Sequence, residues 1–427
     1  MKINWVAPYK IIKMIIQPIR YWHFVFAIIL FSANAVKVYS QDLASYIEVA
    51  EENNTAIQAF DLNYEIAKEK INEVGGLPDT EISAAYFVST PETRVGSQRA
   101  RFSVKQMIPW FGTIAARENY QNALANTEYV NYVIAKRKLR LEVAQKYYEL
   151  YQIQATKKIV NESIDLLSKY EELALNAVEV GTASAVDFLK IQIRQNDLHA
   201  QLALLDEDLK AAKIQFNALL NIEVESAVQV ADSMYLPADD FESTITDISS
   251  NYEILNYDKL AESIVQEELL NQRDAAPKIG LGLDYLPVSE RTDMVVENNG
   301  KDIIMPMISV SVPLFTSKYK SISRQNEIKQ AAINAQKSDR LNLLKGMYAD
   351  AIRIRNSARI DFLKEAENLK QARNAEEILL KNYETGTIDF NEILDIQELQ
   401  LRFNRNQVDA IMRYYKQVAI INYLTSK

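Results

Sequence analysis

The chain contains no cysteine, which excludes disulfides, thiol catalysis and thiolate metal sites. It has only two histidines, His23 near the start and His199 in a stretch of helical composition. One histidine beyond the N-terminal segment cannot build a histidine-rich metal centre or a Ser-His-Asp triad. The formal net charge of −9 argues against a nucleic-acid partner. Glycine and proline are scarce, ten of each in 427 residues, and they are clustered. Neither occurs between Thr113 and Val180, between Thr182 and Leu236, or from Thr387 to Lys427. Only Gly346 interrupts Leu314 to Thr385. Stretches this long, rich in Ala, Leu, Glu, Gln and Lys, predict helices far longer than those of ordinary globular domains. Paired carboxylates (Glu51-Glu52, Asp239-Asp240) fall in predicted helix or linker. No catalytic constellation appears, and the chain reads as a non-enzyme that needs no cofactor.

The first residues read as an export signal. Lys2, Lys10, Lys13 and Arg20 precede the apolar run FVFAIILFSANA, which ends in the small-residue site Ala33-Asn34-Ala35. Residues 1–35 are therefore expected to be a signal peptide, with cleavage as late as residue 40. Nothing further along approaches the ~18 consecutive apolar residues of a transmembrane helix.

Where glycine and proline cluster, the period changes. In RARFSVKQMIP, Ala100, Phe102, Val104 and Ile108 alternate with Arg99, Arg101, Ser103, Lys105 and Met107, with Gln106 as the exception on the apolar side. Upstream, Ile82, Ala84, Tyr86 and Val88 alternate in the same way, which gives a hairpin over about 79–108. A second hairpin over about 278–313 sets Ile279, Leu281, Leu283 and Tyr285 against Ile304, Ile308, Val310 and Val312. Strands of this length, greasy on one face and wet on the other, suit a transmembrane β-barrel. A barrel in lipid must close, and the smallest have about eight strands. Four strands per chain require oligomerisation; two, three or four copies would close.

The chain also repeats itself. VEVGTASAVDFLKIQ (Val178 to Gln192) matches YETGTIDFNEILDIQ (Tyr383 to Gln397) at an offset of 205 residues. Pro78 and Tyr86 echo Pro277 and Tyr285, and Ile108-Pro109-Trp110-Phe111 echoes Val312-Pro313-Leu314-Phe315. The organisation read from this is a first repeat, 43–221, with its tip at 181–182; a linker, 222–250; and a second repeat, 251–427, with its tip at 386–387. Each Gly-Thr turn reverses a helix pair, with Ser184 or Asp389 available to cap the returning helix.

The ordered set IPWFGTIAAR, VGTASAVDFL, VPLFTSKYKS and TGTIDFNEIL resembles the TolC-type outer-membrane efflux proteins, over roughly Ser45 to Tyr423. AEENNTAIQA is similar to the family's first-helix opening, with Thr55 where proline is common. The segment Met305 to Lys320 resembles members that serve heavy-metal pumps. The resemblance implies a mainly α fold with a transmembrane β part. Three copies would form one twelve-stranded barrel and a long coiled-coil tunnel. The location implied is the outer membrane of a Gram-negative bacterium, in contact with outer-membrane lipid, with a periplasmic helical extension. The protein would be a passive duct, partnered by a periplasmic membrane-fusion adaptor and an inner-membrane pump of the RND type. It would carry drugs or heavy-metal cations. A duct for type I protein secretion and an exported structural coiled coil or adhesin are the alternatives.

The same resemblance assigns residues. Gly181, Thr182, Gly386 and Thr387 would meet the adaptor. Glu392 and Asp395, three apart on one helix face, match positions that form acidic rings at the periplasmic entrance. Tyr383 matches a tyrosine that latches the closed state, although Ile388 stands where the latch arginine is expected. Arg99, Arg101 and Lys105 would line the barrel lumen. No metal site is implied; Met305 and Met307 are expected to pack within the strand.

Overall fold

A computed structural model describes residues 42–181, 184–240 and 244–425. The stretch expected to be a signal peptide, Thr182 and Lys427 lie outside the described residues. Helices α1 (Asp42–Asn53) and α2 (Thr55–Val74) precede strands β1 (Thr80–Tyr86), β2 (Glu92–Thr93), β3 (Gly96–Gln98) and β4 (Ala100–Ile108). Helices α3 (Thr113–Glu179) and α4 (Ala185–Leu220) complete the first half. The second half holds a short 3₁₀ turn (Ile245–Ser250), α5 (Tyr252–Asp274), β5 (Lys278–Leu286), β6 (Val288–Ser289) and β7 (Ile303–Ser311). It ends with α6 (Ser317–Glu384) and α7 (Asn391–Thr425).

The scarcity of helix breakers has its direct consequence in α3 and α6, unbroken over 67 and 68 residues. At a rise of about 1.5 Å per residue, each is about 100 Å long. Gly346 lies inside α6 with open space around it, where it weakens the helix by about 1 kcal/mol without ending it. No described helix is long and apolar enough to cross a membrane.

Two compact units are built from interleaved stretches. The first gathers residues up to Asn54 with Leu139–Asp240 and Ile352–Ala419; the second gathers Thr55–Lys138, Phe241–Ala351 and the chain from Ile420 onward.

In the first unit, the irregular segment after α4 must satisfy backbone groups that no helix or sheet satisfies. Tyrosines do much of this. The Tyr46 hydroxyl takes the Gln229 N–H at 2.9 Å, Tyr147 takes that of Ala231 at 3.0 Å and Tyr151 that of Met234 at 3.1 Å. The Tyr415 hydroxyl donates to the Tyr235 carbonyl at 2.5 Å. The segment ends on Asp240, which accepts from Arg359 (2.5 Å) and Tyr414 (2.6 Å) and lies 3.4 Å from Arg355. In the second unit, Asn251 is 1% exposed and caps two helices. Its Oδ1 accepts the Glu253 N–H at the start of α5 (2.9 Å). Its Nδ2 donates to the carbonyls of Tyr423 and Leu424 at the end of α7 (2.9 and 3.1 Å).

Also in the second unit, β1, β4, β5 and β7 form one antiparallel sheet in that order. The loops of the two hairpins meet in a separate three-stranded ribbon, β2-β3-β6. Ser97 lies opposite Ser289 there, and position 96 calls for glycine because its φ is +132° and a Cβ would strike the Ser289 carbonyl.

The Asp240 clamp has a pH signature. Burial alone would raise this carboxyl, but hydrogen bonds from Tyr414 and Arg359 and the charges of Arg355 and Arg359 outweigh burial and hold it below its ordinary value of 3.8. A depressed folded pKa stabilises the structure above the unfolded value and is lost as pH falls through the folded one. Pepsin cleavage within residues 222–240 is therefore expected to rise as pH drops below 3.8. In Asp240→Asn the segment should be loosened at every pH and lose this acid step.

Candidate functional site

Two regions carry the features singled out in the sequence: the four-stranded sheet and the paired helix tips.

The sheet register aligns apolar side chains in rows across all four strands. Ile82, Val104, Leu283 and Pro306 form one row; Ala84, Phe102, Tyr285 and Ile304 form the next. Ile108, Ile279 and Val310 form a third, and Leu281 lies between Gln106 and Ile308. This face is left open: Ile82 is 77% exposed and Ile308 78%. Aromatic side chains mark both ends of the strands. Tyr86, Phe102 and Tyr285 lie towards the hairpin loops, Phe102 stacked on Tyr285 at 6.4 Å. Trp110, Phe111 and Phe315 follow the strands at the helix side, also exposed. The opposite face is polar. Arg101 makes an ion pair with Asp284, which is fully buried, and Lys105 lies across from Gly282. Arg99 sits at the junction of β3 and β4, its carbonyl accepting the Phe87 N–H at 2.9 Å. Gly280 and Gly282 are glycines for a packing reason. A Cβ at 280 would meet Ser309 Oγ at 2.3 Å and Met107 Sδ at 2.8 Å, and one at 282 would press on Met307 at 3.3 Å. Among the described residues, β1 and β7 each pair on one side only.

The tips belong to the first unit. Gly181 follows α3 with φ +78°, and Gly386 follows α6 with φ +69°. A side chain at either would meet nothing within 4 Å, so the left-handed backbone alone calls for glycine. At the second tip the Thr387 N–H bonds the Asn382 carbonyl (3.0 Å) and the Gly386 N–H that of Tyr383 (2.9 Å), a Schellman ending. The Thr387 hydroxyl also donates to the Asn382 carbonyl at 2.8 Å. Thr387 thus has a structural task that the sequence did not disclose. The returning helices are capped by equivalent residues of the two repeats: Ser184 Oγ accepts the Val186 N–H (3.1 Å) and Asp389 Oδ1 the Asn391 N–H (2.9 Å).

Above each turn lies a crosspiece. Glu171 on α3 accepts amide hydrogens from Gln192 (2.9 Å) and Gln195 (3.0 Å) of α4. Glu376 on α6 accepts from Gln397 and, at 2.7 Å, from Gln400 of α7. The three residues of one set are displaced by 205 positions from those of the other, the same offset as the glycines. A glutamate followed about 21 residues later by Gln-x-x-Gln is the sequence signal that would have found them. Glu376 also takes the Tyr170 hydroxyl, which binds the second hairpin to the first.

Between the hairpins a core forms from Val160, Ile164, Leu167, Tyr170 and Ala174 of α3, Ile191 and Leu198 of α4, and Phe390, Ile393 and Leu401 of the second tip and α7. Tyr383 packs on Phe390 with ring centres 5.0 Å apart, and its hydroxyl is buried without a partner. Beside it lies Asp187, 7% exposed. The Asp187 N–H bonds the Ser184 carbonyl at 3.0 Å, in the first turn of α4. Burial first, then the Asp389 charge, pushes the Asp187 carboxyl above its ordinary value of 3.8. Lys190 opposes this from α4, and it also donates to Asn391 Oδ1 at 2.6 Å. Burial, with Asp187 and Asp389, likewise raises the Tyr383 hydroxyl. Glu392 and Asp395 lie on the first turns of α7, both exposed. No cluster of three or more His, Asp or Glu among the described residues is arranged to hold a metal ion.

Glu376→Ala should remove the second crosspiece at a cost of about 2–3 kcal/mol, given three hydrogen bonds to one carboxylate. Hydrogen exchange at the α6–α7 turn is expected to accelerate more than at the α3–α4 turn in Glu171→Ala, where two such bonds are lost.

No family model matches the sequence, and no curated protein matches it. Solved structures do match. The outer membrane protein VceC from Vibrio cholerae aligns with a TM-score of 0.69 at 16% identity, over 90% of this chain and 95% of its own. CusC aligns at 0.73 and 12% identity, over 91% and 92%. The CmeC outer membrane channel of Campylobacter jejuni aligns at 0.70 and 12% identity, over 90% and 85%. Agreement over nine-tenths of the length at this identity establishes a shared chain path, and the chain has the fold of the TolC-type outer-membrane efflux channels.

Proposed function

We propose that the protein is the outer-membrane duct of a tripartite efflux system. The observation that carries this is the sheet: an apolar, exposed face, a polar opposite face, aromatic residues at both strand ends, and two unpaired edges. A sheet of that kind suits lipid on one side and water on the other, provided its edges are closed. Three copies pairing β7 of one with β1 of the next give twelve strands, with Arg99, Arg101 and Lys105 directed towards the lumen. The fold shared with outer-membrane channels supports the same reading.

In this reading the hairpin tips face the periplasm. Gly181, Thr182, Gly386 and Thr387 are the proposed adaptor contacts. Glu392 and Asp395, repeated in three copies, crowd carboxylates at the entrance and favour cations over anions. Tyr383 packs the two hairpins of one chain together. Transport energy comes from an inner-membrane pump, in keeping with the lack of any catalytic constellation.

The test is the mass and shape of the mature protein purified in detergent. The expected result is a particle of three chains with a barrel at one end of a helical body. A detergent-free soluble monomer, or a rod without a barrel, overturns the proposal and favours a structural coiled coil. Substitution probes the two faces separately. Leu283→Arg or Ile308→Arg on the apolar face should cost about 2–4 kcal/mol near the bilayer midplane and abolish heat-resistant trimers on gels. Ser311→Arg on the polar face should leave them intact.

A further inference from the structure

Three arginines line one cavity of the first unit, and two of them have no counter-charge. The cavity, about 420 Å³, lies between α3, α4 and α7. Its wall includes Gln152 from α3, Arg194 from α4, and Glu398, Arg402, Arg405 and Asp409 from α7. Helices α4 and α7 run side by side along it. Lys190 donates to Asn391 Oδ1, and four residues on, Arg194 lies 3.7 Å from Glu398. Further along, Arg405 donates to the Gln201 amide oxygen at 2.7 Å, with that amide turned so that its oxygen faces the guanidinium. Both acids of the wall are already engaged. Glu398 faces Arg194, while Asp409 accepts from Gln152 at 3.1 Å and from Arg413 at 2.8 Å. Arg402 and Arg405 have no carboxylate partner among the described residues; Arg402 lies over the Phe403 ring at 5.5 Å, and Arg405 has only the neutral amide.

In a chain with 57 acidic residues and a net charge of −9, two guanidiniums without an acid are a local departure from the overall balance. Arg402 and Arg405 are three apart on one face of α7, where like charges repel. Arg194 brings a third guanidinium to the same cavity from α4. We infer that this cavity binds a small polyvalent oxyanion, one carrying two or more carboxylate or phosphate groups, between the two helical hairpins of the chain. A guanidinium presents its N–H donors as a planar fork that matches carboxylate or phosphate oxygens two at a time. Arg402 and Arg405 take the anion from α7, and Arg194 meets it from α4. The volume falls within the ordinary range of small-ligand sites, about 300–1,000 Å³. Valence matters because the cations sit on two helices: a chloride neutralises one of them, whereas an anion with two charged ends bridges both. The bound anion is thus a tie between the hairpins, added to the Lys190–Asn391 contact. The site lies within one chain and one unit, so it does not depend on the duct reading.

The experiment is isothermal titration calorimetry of the full-length protein in a non-ionic detergent, at neutral pH and constant ionic strength, with sodium citrate and sodium pyrophosphate as separate probes. Saturable binding of one anion per chain is expected. Citrate alone marks a polycarboxylate site, pyrophosphate alone a phosphate site, and binding of both a site that reads charge and valence. Arg402→Gln/Arg405→Gln should weaken the affinity at least about tenfold, the scale of a lost hydrogen bond to a charged group. Arg402→Lys/Arg405→Lys keeps the charge but not the fork, and should also weaken it. Arg373→Gln, at an exposed position of α6 outside the cavity, should leave it unchanged. No saturable binding of either probe overturns the inference. So does binding that survives Arg402→Gln/Arg405→Gln, or that falls equally in Arg373→Gln, as diffuse attraction to the surface would. Hydrogen exchange supplies a second readout. The better probe should slow exchange in α4 around Arg194 and in α7 around Arg402 and Arg405, and should do so only in chains that keep the arginines; protection elsewhere overturns the inference. Anion binding by a detergent-free soluble monomer would instead fault the duct reading and leave the site standing.

Discussion

The unpaired edges of the four-stranded sheet constrain the molecule more than any other feature. Each edge carries backbone donors and acceptors that water could satisfy, but the apolar face on the same strands is suited to a medium that contains none. Both conditions are met together when strands of further copies continue the sheet until it closes. The polar face then becomes an interior, and the ion pair of Arg101 with the buried Asp284 acquires a wet lining in place of lipid. Gly280 and Gly282 fit the same scheme, because they let Met107, Met307 and Ser309 lie down on that face rather than crowd it.

Duplication answers a second need. A turn between two helices of this length has to satisfy the last carbonyls of one and the first amides of the other within a few residues. The chain solves this once and uses the solution again: glycine in the left-handed region, an N-cap three residues on, and a glutamate crosspiece reached by two glutamines. The copies then diverge where they touch. Asp187 and Glu392 occupy equivalent positions, yet the first is buried against the other hairpin and the second is exposed. Equivalence in sequence has become complementarity in space, since Lys190 of the first tip donates to Asn391 of the second at 2.6 Å.

Much of this was legible in the sequence, and for identifiable reasons. The sheet could be read because its period is two and its faces differ in chemistry, so Phe102, Val104, Leu283 and Ile308 declare their side residue by residue. The helices could be read because their breakers are missing. The break at Asn54 could not, because it is held by partners distant in the chain: Asn54 donates to the Leu219 carbonyl at 3.1 Å, and Asn221 donates to that of Asn53 at 2.9 Å. Nor could the double cap at Asn251 or the tyrosine hydroxyls that stitch residues 229–235, since no local pattern marks a side chain that serves a distant backbone. Gln192 and Gln397 match as repeats in the sequence, but their purpose appears only with Glu171 and Glu376 opposite them.

The tips show why a residue can be correctly singled out and still be incompletely understood. Gly-Thr reads as a turn, and Thr387 has the task of satisfying the Asn382 carbonyl. That task leaves the threonine methyl and the open space around Gly386 free for another surface. Tyr383, which the resemblance casts as a latch, packs on Phe390 at 5.0 Å with its hydroxyl buried and unpartnered. The contact between the hairpins rests instead on apolar packing, with Tyr170 of α3 against Phe390 of the second tip at 5.9 Å, and on Lys190 of α4 donating to Asn391 Oδ1 at 2.6 Å.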